Sequence, residues 1–292
     1  MLSFNLFFCT CILGESFLGR ITDTFTGLTE AGKKGFIPFI TAGDPDLDTS
    51  QQLMIELSRA GASVIELGVP FSDPMADGPV IQRASMRALR HNFGLKEILQ
   101  TASATRAVAD TPIVLFSYFN PLLQFGISRL ASEAKDAGVD AVLVTDLIPE
   151  EAAEVSDSFA RNGIDMIFLV APTSTDDRLR MVADKASGFI YAVSRTGVTG
   201  PSASASDAAT LVRRVKTYSQ LPVAVGFGIS TAEQVREVWT YADAAVVGSA
   251  IVAEIEKHSG SASLVEKVGA FARLLTAQAP ELKLSHQHEQ QN

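Results

Sequence analysis

The chain has 292 residues, of which 47% are hydrophobic and 20% charged, a balance that is typical of a globular protein and excludes a disordered one. Its net charge is -9 and no run of Lys and Arg forms a basic stripe, so we expect no nucleic-acid partner. No stretch reaches the length of a membrane span, so we expect no membrane partner either.

The two ends of the chain differ from its middle. A secretory signal would have a positively charged n-region and a small-residue cleavage site, and neither is clear in residues 1–19. We therefore interpret these residues as an N-terminal extension that is disordered or arises from a misassigned start. Residues 279–292 are polar and predict a disordered tail. The only cysteines, Cys9 and Cys11, exclude a disulfide framework and favour the cytoplasm. Residues 20–278 then form one domain.

A repeating unit begins near Phe36: a short apolar run, a turn and an amphipathic helical stretch. The runs predict eight strands, at 36–41, 64–69, 113–118, 141–146, 166–171, 189–194, 223–227 and 244–247. Gly61, Gly138 and Gly163 each follow a helical stretch, where a left-handed residue ends a helix. Strands that are apolar on both faces and alternate with helices indicate a parallel sheet covered by helices.

Eight such units predict a (β/α)8 TIM barrel with a single domain. The alternative is an open doubly wound sheet, which a Gly-x-Gly-x-x-Gly turn after the first strand would favour. That turn is absent, and the first strand is followed by Ala42-Gly43-Asp44-Pro45. Between the second and third strands the chain has room for two helices, at 80–91 and 95–109, so the barrel carries an extra helix there.

Glu66 interrupts an apolar strand, and active sites of this fold lie at the C-terminal ends of the strands. Alternation places Glu66 on the face of Val64 and Gly68, with Gly68 leaving room above it. If that face points into the barrel, burial raises the pKa of the carboxyl and suits it to proton transfer. The alternative, equally supported by position, is a structural carboxylate bonded to a neighbouring strand.

The loop after that strand holds two further acids, Asp73 and Asp77. Asp77 is a candidate partner for Glu66, whereas spacing alone favours an N-cap of the next helix. For Asp73, spacing favours a turn residue before Pro74.

Glycine-rich turns follow the last three predicted strands and include Gly200, Gly228 and Gly248-Ser249. Glycine allows close backbone approach, and a helix at 249–257 would offer free N–H groups to an anion. Because phosphate sites of this fold form after its last strands, the turns predict a phosphate site. The small, polar residues 201–207 are typical of a mobile lid or of an ordinary loop.

Three segments, 39–45, 65–79 and 194–200, together resemble the tryptophan synthase alpha chain family, and the resemblance extends over about 20–275. It implies that Glu66 is the catalytic glutamate, Asp77 the catalytic aspartate and Asp73 an interface residue. It also implies a substrate pocket, a phosphate site and a mobile loop. The pocket residues are Phe39, Ile81, Tyr118, Thr145 and Tyr191, the phosphate binders are Gly200, Gly228, Gly248 and Ser249, and the loop starts at Thr199.

The activity that this resemblance implies is a lyase reaction, the retro-aldol cleavage of indole-3-glycerol phosphate to indole and glyceraldehyde 3-phosphate in tryptophan biosynthesis. It implies a heterotetramer with a beta subunit that carries pyridoxal phosphate, whereas this chain carries no cofactor and no metal. A stand-alone indole-releasing lyase and an inactive homologue that activates a beta subunit are the alternatives. An isomerase on the same barrel is disfavoured by the loop at 71–79.

Overall fold

The computed structural model describes residues 19–193, 205–226 and 228–277, which build a closed barrel of parallel strands. In this part of the chain eight strands follow one another around the barrel in chain order, and the first pairs with the last. They are β1 (Gly35–Thr41), β2 (Ile65–Gly68), β3 (Ile113–Ser117), β4 (Ala141–Val144), β5 (Asp165–Val170), β6 (Ile190–Val193), β7 (Val223–Gly226) and β8 (Ala244–Val247). The predicted (β/α)8 barrel is confirmed, and the open doubly wound sheet is excluded.

Helices surround the strands and confirm the expected insertion. They are α1 (Arg20–Glu30), α2 (Leu47–Arg59), α3 (Pro79–Ala88), α4 (Leu95–Arg106), α5 (Phe119–Phe125), α6 (Ile127–Asp136), α7 (Ala153–Ala160), α8 (Asp176–Lys185), α9 (Ala205–Lys216), α10 (Ala232–Trp239), α11 (Ser249–His258) and α12 (Leu264–Thr276). Both α3 and α4 lie between β2 and β3, as predicted, with a 3-10 turn at Leu89–His91 after α3. The glycines at 61, 138 and 163 have the positive φ expected of helix ends.

The strands are buried on both faces because each lies between the barrel interior and the surrounding helices. On β2, the side chains of Ile65 and Leu67 pack outward under the helices. Val64, directly before the strand, packs with the side chains that fill the barrel interior. Helix α1 closes the N-terminal end of the barrel, where the ring of Phe25 lies 5.8 Å from that of Phe189. The open end is therefore the one at which the strands finish.

Four strands have the same contact near their start, in which the backbone N–H of the first or second residue donates to a side chain that precedes the next strand in the chain. The pairs are Phe36 with Ser63 at 3.2 Å, Ile113 with Asp140 at 2.8 Å, Met166 with Ser187 at 2.9 Å and Val223 with Asp243 at 2.9 Å. Each contact satisfies a buried or half-buried donor and joins neighbouring strands at the closed end.

The predicted domain boundaries at 19 and 279 stay predictions, because residues 1–18 and 278–292 lie outside the described part of the chain. Among the described helices, none is both long enough and apolar enough to cross a membrane.

Candidate active site

Glu66 lies on the interior face of β2 and is 1% exposed. In the sheet it stands beside Phe39 of β1 and Val114 of β3, both apolar. Its Oε1 has no hydrogen-bond partner within the described residues. Burial raises the pKa of the carboxyl from 4.5 to about 8, so the group is protonated at neutral pH. The structural role considered as an alternative would require a bonding partner that this oxygen lacks.

Tyr191, on β6, faces Glu66 from the opposite side of the barrel interior and is 5% exposed. Burial raises the pKa of its hydroxyl well above the ordinary value, and the charge of Glu66 adds to the effect. The hydroxyl packs directly against Gly226 of β7, where any Cβ would overlap it. This glycine therefore determines how far the tyrosine reaches across the interior.

Phe39 covers the position above Glu66. Its ring packs against Gly68, where a Cβ would overlap it, and it meets Phe116 edge to face at 5.3 Å between ring centroids. The sequence led us to expect that Gly68 leaves open space above the carboxyl, but the space is filled by this ring. The carboxyl thus lies under an aromatic lining suited to a flat apolar group.

Asp77 lies in the loop between β2 and α3 and is partly exposed. Burial raises the pKa of its carboxyl from 3.8 to about 6, and a hydrogen bond from Tyr118 lowers it in part. The N-cap role that spacing favoured is wrong, because Gly78 is the N-cap of α3 and Pro79 its first residue. The Asp77 side chain therefore does not cap α3, and it bonds Tyr118 at the mouth of the barrel instead.

Tyr118 follows β3 directly and ties the Asp77 loop to the barrel. Its hydroxyl accepts the backbone N–H of Ala76 at 2.9 Å and bonds the Asp77 carboxyl. Its ring lies 5.2 Å from that of Phe71 at the start of the same loop. Since β2 and β3 are neighbours, these contacts hold the loop above the strand that carries Glu66.

Ile81 and Gly248 extend the lining around Phe39. A Cβ on Gly248 would lie 3.7 Å from Phe39 Cβ and 3.9 Å from Ile81 Cδ1, so the three residues adjoin one another. Thr145 stands directly after β4, half-buried, and its N–H donates to the Ser117 carbonyl at 2.9 Å. Of the predicted pocket residues, Ile81 therefore lies on the first turn of α3, and Tyr118 and Thr145 stand directly after β3 and β4.

Helix α11 starts at Ser249, with Gly248 as its N-cap, which confirms the helix predicted there. Its first helical bond runs from Val252 N–H to the Gly248 carbonyl at 3.1 Å. The N–H groups of the first turn therefore lack helical partners and can receive an anion. Gly228, with φ of +75°, is exposed after β7. Gly200 and Thr199 lie outside the described residues.

Asp73 is exposed and forms part of a turn, in which its carbonyl accepts the N–H of Met75 at 2.9 Å. This agrees with the turn role that spacing favoured. The side chain of Met75 is 86% exposed at the same place.

Thr41 is a polar residue of the same region that our reading of the sequence missed. It ends β1 two positions beyond Phe39, is 2% exposed, and its Oγ1 has no partner among the described residues. The signal that singled out Glu66, a polar residue at the end of an apolar strand, applies to it equally. Within the described chain, no three His, Cys, Asp or Glu side chains are grouped so as to bind a metal ion.

The sequence profile described as "Tryptophan synthase alpha chain" matches residues 25–280. The chain belongs to the tryptophan synthase alpha chain family. It is a lyase that carries out the alpha reaction of tryptophan biosynthesis.

Individual relatives agree with this assignment over nearly their whole length. The tryptophan synthase alpha chain of Geobacter sp. (strain M21) is 52% identical over 259 residues, which cover 88% of this chain and 97% of the relative. The alpha chain of Polynucleobacter necessarius subsp. necessarius (strain STIR1) is 49% identical, with 88% and 97% covered.

Solved structures of the family share the fold. Tryptophan synthase subunit alpha from Legionella pneumophila str. Paris superposes with a TM-score of 0.82 at 36% identity, covering 88% of this chain and 97% of that one. A chain of the tryptophan synthase complex from Pyrococcus furiosus gives a TM-score of 0.75 at 36% identity, with 82% and 97% covered.

Proposed function

We propose that Glu66 and Asp77 are the acid–base pair with which this lyase cleaves indole-3-glycerol phosphate into indole and glyceraldehyde 3-phosphate. The observation that carries the proposal is Glu66 itself, a buried carboxyl with a free oxygen on the interior face of β2. The pKa of about 8 for Glu66 and of about 6 for Asp77 leaves one protonated and the other ionised at neutral pH. Two carboxyls in different environments can then take different roles.

In the first step the Glu66 carboxyl donates its proton to C3 of the indole ring, and C3 becomes tetrahedral. Positive charge develops on the ring, and the Asp77 carboxylate stabilises the ring N–H where that charge accumulates. Phe39, Phe116 and Tyr191 surround Glu66 with apolar surface, which supports a flat ring as the group bound there.

In the second step the Glu66 carboxylate removes the proton of the hydroxyl on C1′, next to the bond that breaks. The oxygen forms the aldehyde carbonyl, and the electron pair of the C3–C1′ bond returns to the ring as indole leaves. Glu66 regains its proton and is ready for the next cycle. A single group that first donates and then accepts works best with a pKa near the operating pH.

The remaining predicted residues would orient the substrate. We assign Ile81, Tyr118 and Thr145 to the indole and glycerol pocket, in keeping with their places at the mouth of the barrel. The phosphate would be bound by the α11 N-terminus at Gly248 and Ser249.

The last three assignments concern two further phosphate binders and the start of the mobile loop. Gly228 is proposed as a phosphate binder from its exposed turn after β7. Gly200, as a phosphate binder, and Thr199, at the start of a mobile loop, rest on the sequence motif alone.

A beta subunit is the proposed partner, and it would carry the pyridoxal phosphate. Apolar side chains are exposed after three neighbouring strands: Met75 after β2 at 86%, Leu123 after β3 at 53% and Ile148 after β4 at 40%. Exposed apolar groups gathered at one end of a barrel favour a protein interface. Asp73 lies beside Met75, and we assign it to that interface. The cytoplasm is the proposed compartment, in keeping with a chain whose only cysteines are Cys9 and Cys11.

The test is indole release from indole-3-glycerol phosphate by the purified chain, alone and with a tryptophan synthase beta subunit. We expect cleavage that rises strongly when the partner is added. Cleavage that is already fast without the partner would instead identify a stand-alone indole-releasing lyase. No cleavage in either case would contradict the proposal and support an inactive homologue.

Two variants test the residues. We expect Glu66→Gln and Asp77→Asn to fold and to lose about 10²- to 10⁴-fold in rate. Glu133→Gln is the matched control, because Glu133 lies on α6 in an exposed pair with Arg129. A wild-type rate in a folded Glu66→Gln protein would remove Glu66 from the mechanism.

A further inference from the structure

Helices α3 and α11 lie side by side, and both start at the mouth of the barrel. At their starts, Ile81 of α3 adjoins Gly248, the N-cap of α11. One turn further, Ala84 of α3 and Val252 of α11 pack together with Phe39. The segment that carries Asp77 and the proposed phosphate end of α11 are thus the beginnings of two paired helices.

Farther along, the two helices are joined by an ionic network. Glu256 of α11 accepts hydrogen bonds from Arg83 at 2.8 and 2.7 Å and from Arg87 at 2.6 Å, both on α3. These arginines, Arg83 first, lower the pKa of Glu256 to about 2. The carboxylate therefore stays ionised, and the connection persists, through the whole physiological pH range.

Arg87 also connects the helix pair to the barrel. Its Nε and Nη2 bond the two carboxylate oxygens of Asp44, each at 2.8 Å. Asp44 is 1% exposed, and its N–H donates at 3.2 Å to the carbonyl of Thr41, the last residue of β1. A planar guanidinium can bond one carboxylate with two donors and a second with another, which a lysine cannot do.

The two helices are anchored unequally by apolar packing. The side chains that α11 buries include Ile251, Val252 and Ile255. The buried residues of α3 are only Ala84, Ser85 and Ala88. Because small side chains remove little apolar surface from water, the position of α3 depends more on its polar contacts.

We propose that Arg87 is a positioning residue, which holds α3, and with it the Asp77 segment, in place relative to the phosphate end of α11. The inference rests on the roles proposed above for Asp77 and for the α11 N-terminus. Arg87 does not touch the substrate. It acts through the placement of α3, and a displacement of about 1 Å at a reacting group can cost about 100-fold in rate.

The experiment compares Arg87→Met with Arg87→Lys and with the control Arg83→Met, which removes a more exposed contact to the same Glu256. For each protein kcat is measured on indole-3-glycerol phosphate, and the Kd of glycerol 3-phosphate is measured by calorimetry. We expect Arg87→Met to lower kcat about 10- to 100-fold while that Kd changes less than about threefold, because α11 stays anchored. Arg87→Lys should recover part of kcat, and Arg83→Met should resemble the wild type.

Unchanged kcat in Arg87→Met would overturn the proposal, and so would a parallel loss of kcat and of glycerol 3-phosphate binding, which is the sign of general unfolding. If Arg87→Met does not fold, it is replaced by the double variant Asp44→Asn with Arg87→Met, which leaves no unpaired buried charge. Unchanged kcat, or a parallel loss of kcat and binding, in the double variant would overturn the proposal in the same way. Asp77→Asn and the wild type are run alongside. A normal rate in Asp77→Asn, or no binding of glycerol 3-phosphate by the wild type, would be a failure of the proposed function instead.

Discussion

Tyr118 and Asp77 share a hydrogen bond at the mouth of the barrel, where the end of β3 meets the loop that follows β2. The bond stabilises the ionised form of Asp77, opposing the burial that raises the pKa of its carboxyl to about 6. Glu66, without such a bond at its Oε1, keeps a pKa of about 8. One phenol therefore helps to separate the protonation states of the two carboxyls.

This separation predicts a bell-shaped pH dependence of kcat/KM. Asp77 must be ionised, which requires a pH above about 6, and Glu66 must be protonated, which requires a pH below about 8. We expect the rate to be highest between these values and to fall on both sides. The measurement is kcat/KM for indole release across the range. A rate that keeps rising above pH 8 would contradict the assignment of Glu66 as the proton donor.

Replacing Tyr118 by Phe removes the hydrogen bond to Asp77 and the acceptor for the Ala76 N–H. The pKa of Asp77 then rises, so the acid limb of the profile moves to higher pH while the alkaline limb, set by Glu66, stays in place. We expect kcat/KM at neutral pH to fall roughly tenfold, since a hydrogen bond to a charged group is lost.

The control for that change is Tyr218→Phe, in which the altered ring lies against Arg180 outside the barrel mouth. Its profile should match that of the wild type. If both limbs of the Tyr118→Phe profile moved together, or neither moved, the hydrogen bond would not be what separates the two carboxyls.

Much of this architecture could be predicted from the sequence, because strands buried on both faces appear as short apolar runs. Eight runs predicted eight strands, and Glu66 was the carboxylate that stood within a run rather than at its end. The period of the pattern reports which face a residue lies on. It therefore placed Glu66 on one face with Val64 and Gly68, but it left open whether that face points into the barrel.

Contacts between distant residues could not be read in this way. Arg87 and Asp44 are 43 positions apart, and their bond depends on how α3 packs over the end of β1. Asp77 was misjudged by local spacing, since a carboxylate two residues before a helix resembles an N-cap, while the cap is Gly78. The family resemblance, by contrast, implied a catalytic role for Asp77, which stays a prediction.

Asp140 should matter for stability rather than for activity. It is 8% exposed, accepts the Ile113 N–H at 2.8 Å, and bonds Arg20 at 2.8 Å and Arg106 at 2.7 Å. Arg20 belongs to α1, so the carboxylate holds the helix that closes the barrel. We expect Asp140→Asn to lower the free energy of unfolding by about 1–3 kcal/mol, measured by urea denaturation.

Asp177→Asn is the matched control for Asp140, because Asp177 is exposed and pairs with Arg180 within one helix. We expect no measurable change in its free energy of unfolding. Equal effects of the two substitutions would show that burial of the carboxylate at the closed end contributes nothing.

Glu66 should make the wild-type protein less stable as the pH rises. Its pKa is about 8 when folded and 4.5 as the ordinary value, so between these values the folded state holds a proton that the unfolded state releases. The free energy of unfolding then falls with increasing pH, by up to about 1.4 kcal/mol per unit from this group.

Glu66→Gln lacks the ionising group, so its free energy of unfolding should rise relative to that of the wild type through this pH window. The difference should level off above pH 8. Urea denaturation at several pH values measures the difference, with Glu133→Gln expected to keep the wild-type slope. Parallel pH dependence in the wild type and Glu66→Gln would mean that the folded protein holds Glu66 ionised at neutral pH, and the proton for C3 would have to come from another group.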